Sequence, residues 1–374
     1  MTQSTRSRLI SILKITAQVA LAVGILGFLV WLNRNDLVKL WQQPKRWGFL
    51  AAGFVICVAA MLTTLVRWCL LIWAQGLPFR LADGMRIGFI GYLFNQIIPG
   101  AVSGDLVKAV FLAREQQRRT VAIATVVIDR IVGMYGLFLV AGLGVLLFWR
   151  ELDRQIGVAL ARVQVAGLAA VVFWRDLQAL QVLRHYAVCV LVVAGIATLG
   201  FGLLFTPLLY RPAWTAWLGR LPVAGPLIRE IFGAMAVYHG KQRVVLLAVV
   251  MSIAVHVGLV SSLFCAALAL RPGWPPRVHY VLAPIGLTIN AIPLTPGGAG
   301  LGEGGMQVLF NSVGEDGPTA FAMMVAFRAM CWLIALVGVR FLVASFTETR
   351  RAIAQAQPPE PAPCAAIPAA PMDR

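Results

Sequence analysis

The sequence predicts an all-α polytopic membrane protein, a bundle of six to eight spanning helices that includes two broken or re-entrant helical elements. Of its 374 residues, 60% are hydrophobic and 13% are charged, a balance that a soluble domain of this size could not hide from water. Several apolar runs reach the roughly 20 residues that cross a hydrocarbon core of about 30 Å. The clearest are Leu9–Leu32, Gly48–Trp73, Thr120–Trp149, Tyr186–Tyr210, Val244–Leu270 and Thr319–Phe346.

The two ends of the chain have different expected roles. Arg6 and Arg8 precede the first apolar run, as in a signal peptide, but the run is too long for one. No clear small-x-small cleavage site follows it, so we expect an uncleaved signal anchor. Residues 351–374 are rich in Pro and Ala and have little to bury, so we expect a disordered tail after a membrane domain of residues 1–350.

Basic residues between the apolar runs set the expected orientation. The amino terminus, Lys108–Arg119 and Arg211–Arg243 are basic, whereas Asn311–Pro318 is acidic. Because basic loops stay in the cytoplasm, we place the amino terminus inside the inner (plasma) membrane and the acidic loop outside. Asn33–Arg46 conflicts with this orientation, since it carries basic residues where an external loop is required.

Two further segments have a less certain place in the membrane. Gly157–Trp174 is barely long enough to cross and contains Arg162 and Gln164, so it either makes a short crossing or lies at the interface. Arg211–Arg243 has apolar residues at helical spacing and two Trp suited to an interface. It is predicted to form an amphipathic helix on the cytoplasmic surface.

The composition also bears on ligands. The net charge of +17 does not indicate nucleic-acid binding, because Lys and Arg lie mainly between the apolar runs, where topology and anionic lipid explain them better. No His, Cys and carboxylate cluster has metal-ligand spacing, so no metal or cofactor is expected. Unpaired cysteines within apolar stretches are predicted to be buried thiols: Cys57, Cys69, Cys189, Cys265 and Cys331.

Helix-breaking and polar residues interrupt the apolar sequence twice. The two interruptions, Phe94–Lys108 and Ile289–Gly305, share an order of Asn, Pro-Gly, Gly and acid. Broken backbone at membrane depth must pack in protein or line a wet cavity. Basic segments flank the first interruption and an acidic loop follows the second, so they are expected to enter from opposite faces, as an inverted repeat around a midplane site. The predicted helix-break residues are Pro99, Gly100, Gly104, Pro296, Gly297 and Gly298.

Ionisable side chains in the apolar spans point to a binding site. Each costs about 2.5–3.5 kcal/mol on insertion scales unless it is paired or solvated. The predicted substrate-binding residues are Arg67, Asn95, Asp105, Lys108, Asp129, Arg130, Glu303 and Arg328.

Each of these residues also has a purely structural interpretation. Asp105 and Lys108 are three positions apart and could form a structural ion pair on one helical face. Asp129 and Arg130 point about 100° apart on a helix, so at least one of them needs a partner elsewhere. Arg67 could snorkel to the interface. Glu303 is an expected partner for Arg328, and the glycines could serve only helix packing.

Four motifs, NQIIPGAVSGDLVKA, VVIDRIVG, PLTPGGAGLGE and AFRAM, resemble in this order the membrane region of the lysylphosphatidylglycerol synthase family, the flippase-like domain proteins. The resemblance covers about residues 9–346 and implies a membrane domain that translocates lipid. Full-length family members carry a soluble aminoacyl-transferase domain, which this chain lacks, so we expect no synthesis of lysyl-lipid. Lys108 stands where the family usually has Arg, which keeps the charge but loses bidentate phosphate binding.

Three functions remain open. The first is a translocase of an anionic or polyprenyl-type lipid, which is not an enzyme. The second is a polyprenyl-phosphate-dependent membrane glycosyltransferase, for which no Asp-x-Asp motif is present. The third is a non-transporting partner of a cell-envelope lipid enzyme. Expected partners are a membrane lipid and either a second copy of the chain or an envelope-biosynthesis enzyme, and not nucleic acid.

Overall fold

The computed structural model describes residues 3–98, 103–147, 170–203, 236–292 and 294–356, with positions 149, 150, 153, 154, 157 and 233. These residues are mainly helical, which confirms the all-α prediction. In chain order the helices are α1 (Gln3–Leu32), α2 (Arg34–Gln42), α3 (Trp47–Ala74), α4 (Leu81–Ile97), α5 (Ser103–Glu115), α6 (Arg119–Leu147), α7 (Ala170–Leu203), α8 (Gln242–Leu270), α9 (Pro276–Asn290), α10 (Leu301–Ser312) and α11 (Gly317–Ala356).

Five described helices are long and apolar enough to cross a membrane: α3, α6, α8, the Arg184–Leu203 part of α7 and the Gly317–Ser345 part of α11. The count becomes six if α1 and α2, which are bent by 71° relative to each other, form one span. The structure therefore agrees with the lower end of the predicted range.

Several predicted boundaries change. Asn33–Arg46, predicted as a loop, is mostly the helix α2, in which Lys39 pairs with Asp36 at 3.0 Å. The helix α11 continues to Ala356, and the later tail residues lie outside the described part of the chain, so the domain end at residue 350 stays a prediction. Most of Gly157–Trp174 and of Arg211–Arg243 also lies outside it, so the structure does not test either prediction.

Two helical hairpins occupy the positions of the predicted interruptions. Their helices have 17, 13, 15 and 12 residues, so each extends about 18–26 Å and is shorter than a hydrocarbon core. In the first hairpin, Arg86 near the start of α4 pairs with Glu115 at the end of α5 at 2.6 Å. In the second, Trp274 just before α9 packs on Phe310 near the end of α10, with ring centroids 5.0 Å apart. Each hairpin therefore returns to the side from which it enters.

The helices α3 and α8 pack side by side and run antiparallel. The backbone N–H of Arg46, just before α3, donates to the carbonyl of Ala269 at the end of α8 (3.2 Å). At the opposite end, the hydroxyl of Tyr238, just before α8, donates to the carbonyl of Leu71 (2.7 Å). Each hairpin follows the carboxyl end of one of these helices, so the two hairpins enter from opposite faces. The predicted inverted repeat, α3–α6 and α8–α11, is therefore present.

Each half also packs its hairpin against the last helix of the other half. A Cβ at Gly338 of α11 would meet the backbone carbonyl of Phe89 in α4. A Cβ at Gly144 of α6 would lie 3.1 Å from the carbonyl of Tyr280 in α9. The two contacts correspond to each other in the repeat, and they join the halves into one bundle.

The cysteines differ in burial. Cys57, Cys69 and Cys331 are buried free thiols, as predicted, and Cys265 is half-buried. The prediction is wrong for Cys189, which is exposed. It lies in the apolar span of α7 beside exposed Val188 and Val192, on a surface that would face lipid rather than protein.

Candidate functional site

A cavity of about 320 Å³ lies between the two hairpins, at the middle of the long helices. Apolar side chains such as Met61, Leu137 and Leu259 form much of its wall. Six of the predicted binding residues line it: Arg67, Asn95, Asp105, Lys108, Asp129 and Arg130. Glu303 and Arg328 are not among the described residues that line the cavity. Arg328 donates to Asn290, which does line it, and Glu303 pairs with Arg328.

Arg67 and Asp129 form a buried ion pair that joins α3 to α6. The Nε of Arg67 donates to Oδ1 of Asp129 at 2.9 Å, and its Nη1 donates to the hydroxyl of Ser252 in α8, also at 2.9 Å. Gly133 leaves room for this guanidinium, since a Cβ there would lie 3.2 Å from Nη2. The alternative that Arg67 snorkels to the interface is therefore wrong, and the expectation that Asp129 or Arg130 needs a distant partner is confirmed.

Asp105 lies between two cations. Its Oδ1 accepts from Nζ of Lys108 at 3.3 Å, which confirms that these residues share a helical face. Lys108 Nζ also lies 5.4 Å from the centroid of the Trp68 ring. Arg130 Nη1 reaches Oδ2 of Asp105 only at 3.6 Å, and Oδ2 accepts no hydrogen bond from any described residue. This group carries a net positive charge at the cavity wall.

Asn95 connects the two helices of the first hairpin. Its Oδ1 accepts from the backbone N–H of Gly104 at 2.8 Å and from the hydroxyl of Ser103 at 3.4 Å. A Cβ at Gly104 would meet the carbonyl oxygen of Gly91, so α4 and α5 cross at van der Waals contact. Gly104 is thus a packing residue at the break, whereas Pro99 and Gly100 lie outside the described residues.

Arg328 and Glu303 form the expected pair in the second hairpin. Nε and Nη2 of Arg328 both donate to the carboxylate of Glu303, the latter at 3.1 Å. The same guanidinium donates to the carbonyl of Gly297 (2.8 Å) and to Oδ1 of Asn290 (3.1 Å). Glu303 also accepts from the N–H of Gly300 at 2.8 Å, which caps the start of α10. Glu303 is fully buried, so this pair is closed.

The turn of the second hairpin packs on the carboxyl end of α4. Pro296 begins a tight turn in which its carbonyl accepts from the N–H of Ala299 at 3.0 Å. Gly297 and Gly298 have φ of 55° and 74°, values that favour glycine. A Cβ at Gly297 would lie 2.8 Å from Oε1 of Gln96, at the end of α4. The second break therefore contacts the end of α4, directly before the first break, as a shared cavity requires.

Some residues at the cavity have no recognisable signal in the sequence. His256 lines it and hydrogen-bonds through Nε2 to the carbonyl of Gly133 at 3.0 Å. A single His or Ser in an apolar helix has no spacing that would distinguish it from a core residue. The spacing of the charged residues is a clearer sequence signal for the repeat. Arg130 follows Asp105 by 25 positions, and Arg328 follows Glu303 by the same number.

The site is suited to binding an anion. Three cations, Arg67, Lys108 and Arg130, line the cavity with only two carboxylates, Asp105 and Asp129. Charge-assisted hydrogen bonds to phosphate are among the strong ones in proteins. Among the described residues there is no group of three His, Cys, Asp or Glu that could hold a metal ion.

Comparison with known protein families identifies a match. The family model described as "Lysylphosphatidylglycerol synthase TM region" matches residues 15–338, which include both hairpins and every residue that lines the cavity. No curated protein matches the chain, and no solved structure does. With most of its length matched, and with its motifs in the order that first indicated the resemblance, the chain belongs to the lysylphosphatidylglycerol synthase TM region family.

Proposed function

We propose that this protein translocates a lipid with an anionic headgroup across the inner membrane, without enzymatic chemistry. The headgroup phosphate binds in the central cavity at Arg130 and Lys108, while the acyl chains stay against the apolar walls. The amino terminus is cytoplasmic in this proposal. An anionic phospholipid or a polyprenyl phosphate would meet the same phosphate-binding groups.

The observation that carries this proposal is that the guanidinium of Arg130 has unused hydrogen-bonding capacity. Arg67 and Arg328 make close hydrogen bonds to their carboxylates, whereas Arg130 touches Asp105 at 3.6 Å with 36% of its side chain exposed. Asp105 is already paired with Lys108, so Arg130 has hydrogen-bonding capacity left over. A guanidinium in this state at the wall of a mid-membrane cavity is ready for a phosphate ligand.

The inverted repeat supports movement of the ligand as well as binding. In transporters built this way, a site lies at the repeat interface near the midplane, formed by broken helices that enter from the two faces. Here Asn95 at one break and Asn290 at the other line the same cavity. A headgroup bound between them would be about equally far from both membrane surfaces.

Glycosyl transfer, the enzymatic alternative, is less well supported by the site. Of the carboxylates near the cavity, Asp105, Asp129 and Glu303 each pair with a basic side chain. A carboxylate that is neutralised in this way is a poor general base and is not placed to hold a metal. The glycosyltransferase alternative therefore gains no support from the site.

Reconstitution would test the proposal. Purified protein in phosphatidylcholine liposomes with acyl-labelled fluorescent phosphatidylglycerol should expose inner-leaflet label to external dithionite, which quenches it. Arg130→Ala should slow this exposure by about tenfold or more, since one charge-assisted phosphate contact is lost.

The matched control is Arg340→Ala, because Arg340 is exposed on α11, away from the cavity. This variant should exchange label at the wild-type rate. Equal rates for wild type and Arg130→Ala, or no exchange beyond that of empty liposomes, would contradict the proposal.

A further inference from the structure

The pair Asp105–Arg130 has a twin in the second half of the molecule. Asp105 lies in the first turn of α5 directly after Gly104, and Glu303 lies in the first turn of α10 directly after Gly302. Each acid faces an arginine 25 positions later, on the long helix that follows its hairpin.

The surroundings of the two pairs are also equivalent. Each hairpin places an Asn before its break, Asn95 in α4 and Asn290 at the end of α9. The side-chain oxygen of each Asn accepts a hydrogen bond within its hairpin or from the following long helix. Asn95 accepts from the N–H of Gly104, and Asn290 accepts from Arg328. The inverted repeat thus supplies the same four kinds of residue at both hairpins.

The two pairs differ in their state. Arg328 makes four hydrogen bonds, to Glu303, Asn290 and the carbonyl of Gly297, and its side chain is 12% exposed. Arg130 makes one longer ionic contact, to Asp105, and is 36% exposed. One site is therefore open to the cavity while its twin is closed. Asp105 shares its charge with Lys108, whereas Met306 occupies the corresponding position after Glu303.

We infer that Arg328 is a second headgroup site, closed in this structure by Glu303, Asn290 and Gly297. When the molecule opens toward the other face, the pairs exchange states: Arg130 closes on Asp105, and Arg328 leaves Glu303 to bind the phosphate. This inference rests on the proposed function and adds to it a second headgroup-binding site at Arg328. We call the sites at Arg130 and Arg328 the open and the second station. At each station a carboxylate, Asp105 or Glu303, competes with the lipid phosphate for the arginine.

Binding measurements can test the second station without any transport. The probe is dihexanoyl phosphatidic acid, titrated into protein held in phosphatidylcholine nanodiscs. Arg130→Ala should weaken its binding by about tenfold, because the open station loses its guanidinium. Adding Glu303→Gln should release Arg328 and restore at least about a third of the lost affinity, since Gln keeps the cap at the start of α10 but not the charge.

The control is a triple variant, Arg130→Ala with Glu303→Gln and Arg328→Gln, which keeps Glu303 neutral but removes the guanidinium. It should bind as weakly as Arg130→Ala alone. If the triple variant still shows the recovery, or if Arg130→Ala with Glu303→Gln shows none, the second station is wrong. Should a Glu303→Gln variant fail to fold, Asn290→Ala in the Arg130→Ala background takes its place, and absence of any recovery there would equally refute the inference.

Glycerol 3-phosphate distinguishes a lipid headgroup from a free phosphate ester. Much weaker binding than that of the lipid supports a lipid ligand at both stations, whereas equal binding of the two compounds would overturn the lipid assignment. These outcomes also separate the inference from the proposed function. If binding recovers but no transport is observed, the second station is supported and the proposed function is contradicted. If transport is observed but binding does not recover, the protein is a translocase with one headgroup site and the inference is wrong.

Discussion

The guanidinium of Arg67 donates to the carboxylate of Asp129 at 2.9 Å, across 62 positions of sequence, with both side chains almost fully buried. The pair also reaches Ser252, so it holds three helices together at the level of the cavity. Both charged side chains have hydrogen-bonding partners within the protein, which gives the pair a structural role at the wall of the cavity.

Removing one member of this pair should destabilise the protein strongly. Arg67→Met leaves the Asp129 carboxylate buried without a partner, which typically costs about 3–5 kcal/mol. The double variant Arg67→Met with Asp129→Leu should recover most of this loss, because no buried charge remains. The measurement is the free energy of unfolding in mixed detergent micelles titrated with sodium dodecyl sulfate.

Lys39→Ala serves as the control, since its pair with Asp36 is exposed and such pairs contribute about 0–1 kcal/mol. If the double variant were as unstable as Arg67→Met, or if Arg67→Met matched Lys39→Ala, the pair would not have the predicted role.

The crossing of α4 and α5 should not tolerate a side chain at Gly104. Alanine there would press its Cβ on the carbonyl of Gly91 and within 2.6 Å of the Asn95 side chain, neither of which is a flexible end. We expect a loss of about 1–3 kcal/mol in the same unfolding assay, as for overpacked cores. Gly195→Ala, with no atom within 4 Å of the new Cβ, should be neutral or slightly stabilising. Equal effects of the two substitutions would show that the hairpin has room to adjust.

Lys108 should control the charge balance at the open station. In Lys108→Met, Asp105 keeps Arg130 as its cation, so Arg130 is drawn onto the carboxylate and away from a ligand. Affinity for dihexanoyl phosphatidic acid should then fall by about tenfold. Lys108→Arg keeps the charge and should retain most of the affinity. A similar loss in both variants would instead indicate that the contact of the Lys108 ammonium with the Trp68 ring matters more than its charge.

Much of this site follows from residue types alone. Pro and Gly inside an apolar segment predict a broken helix, and Glu303 and Arg328 in neighbouring apolar segments must find partners, so their pairing was expected. The inverted arrangement was indicated by loop charges and is confirmed by the antiparallel course of α3 and α8.

Other features depend on tertiary packing, which leaves no local pattern. Arg67 lies near the end of an apolar span, so snorkelling was as reasonable as burial until α6 placed Asp129 beside it. The helix α2 was not predicted, because its basic residues are typical of a loop between membrane spans. The exposure of Cys189 depends on which side of α7 meets protein, and a uniformly apolar span does not reveal this.

The inverted repeat also has an energetic consequence. For the translocase proposed above, two halves with related contacts in opposite orientations give inward-facing and outward-facing forms, because each form closes one hairpin and opens the other. Alternation of this kind does not by itself favour one leaflet. A lipid carried by this protein would therefore move toward the leaflet in which it is scarcer, and the reaction that consumes it there would set the direction of net flow.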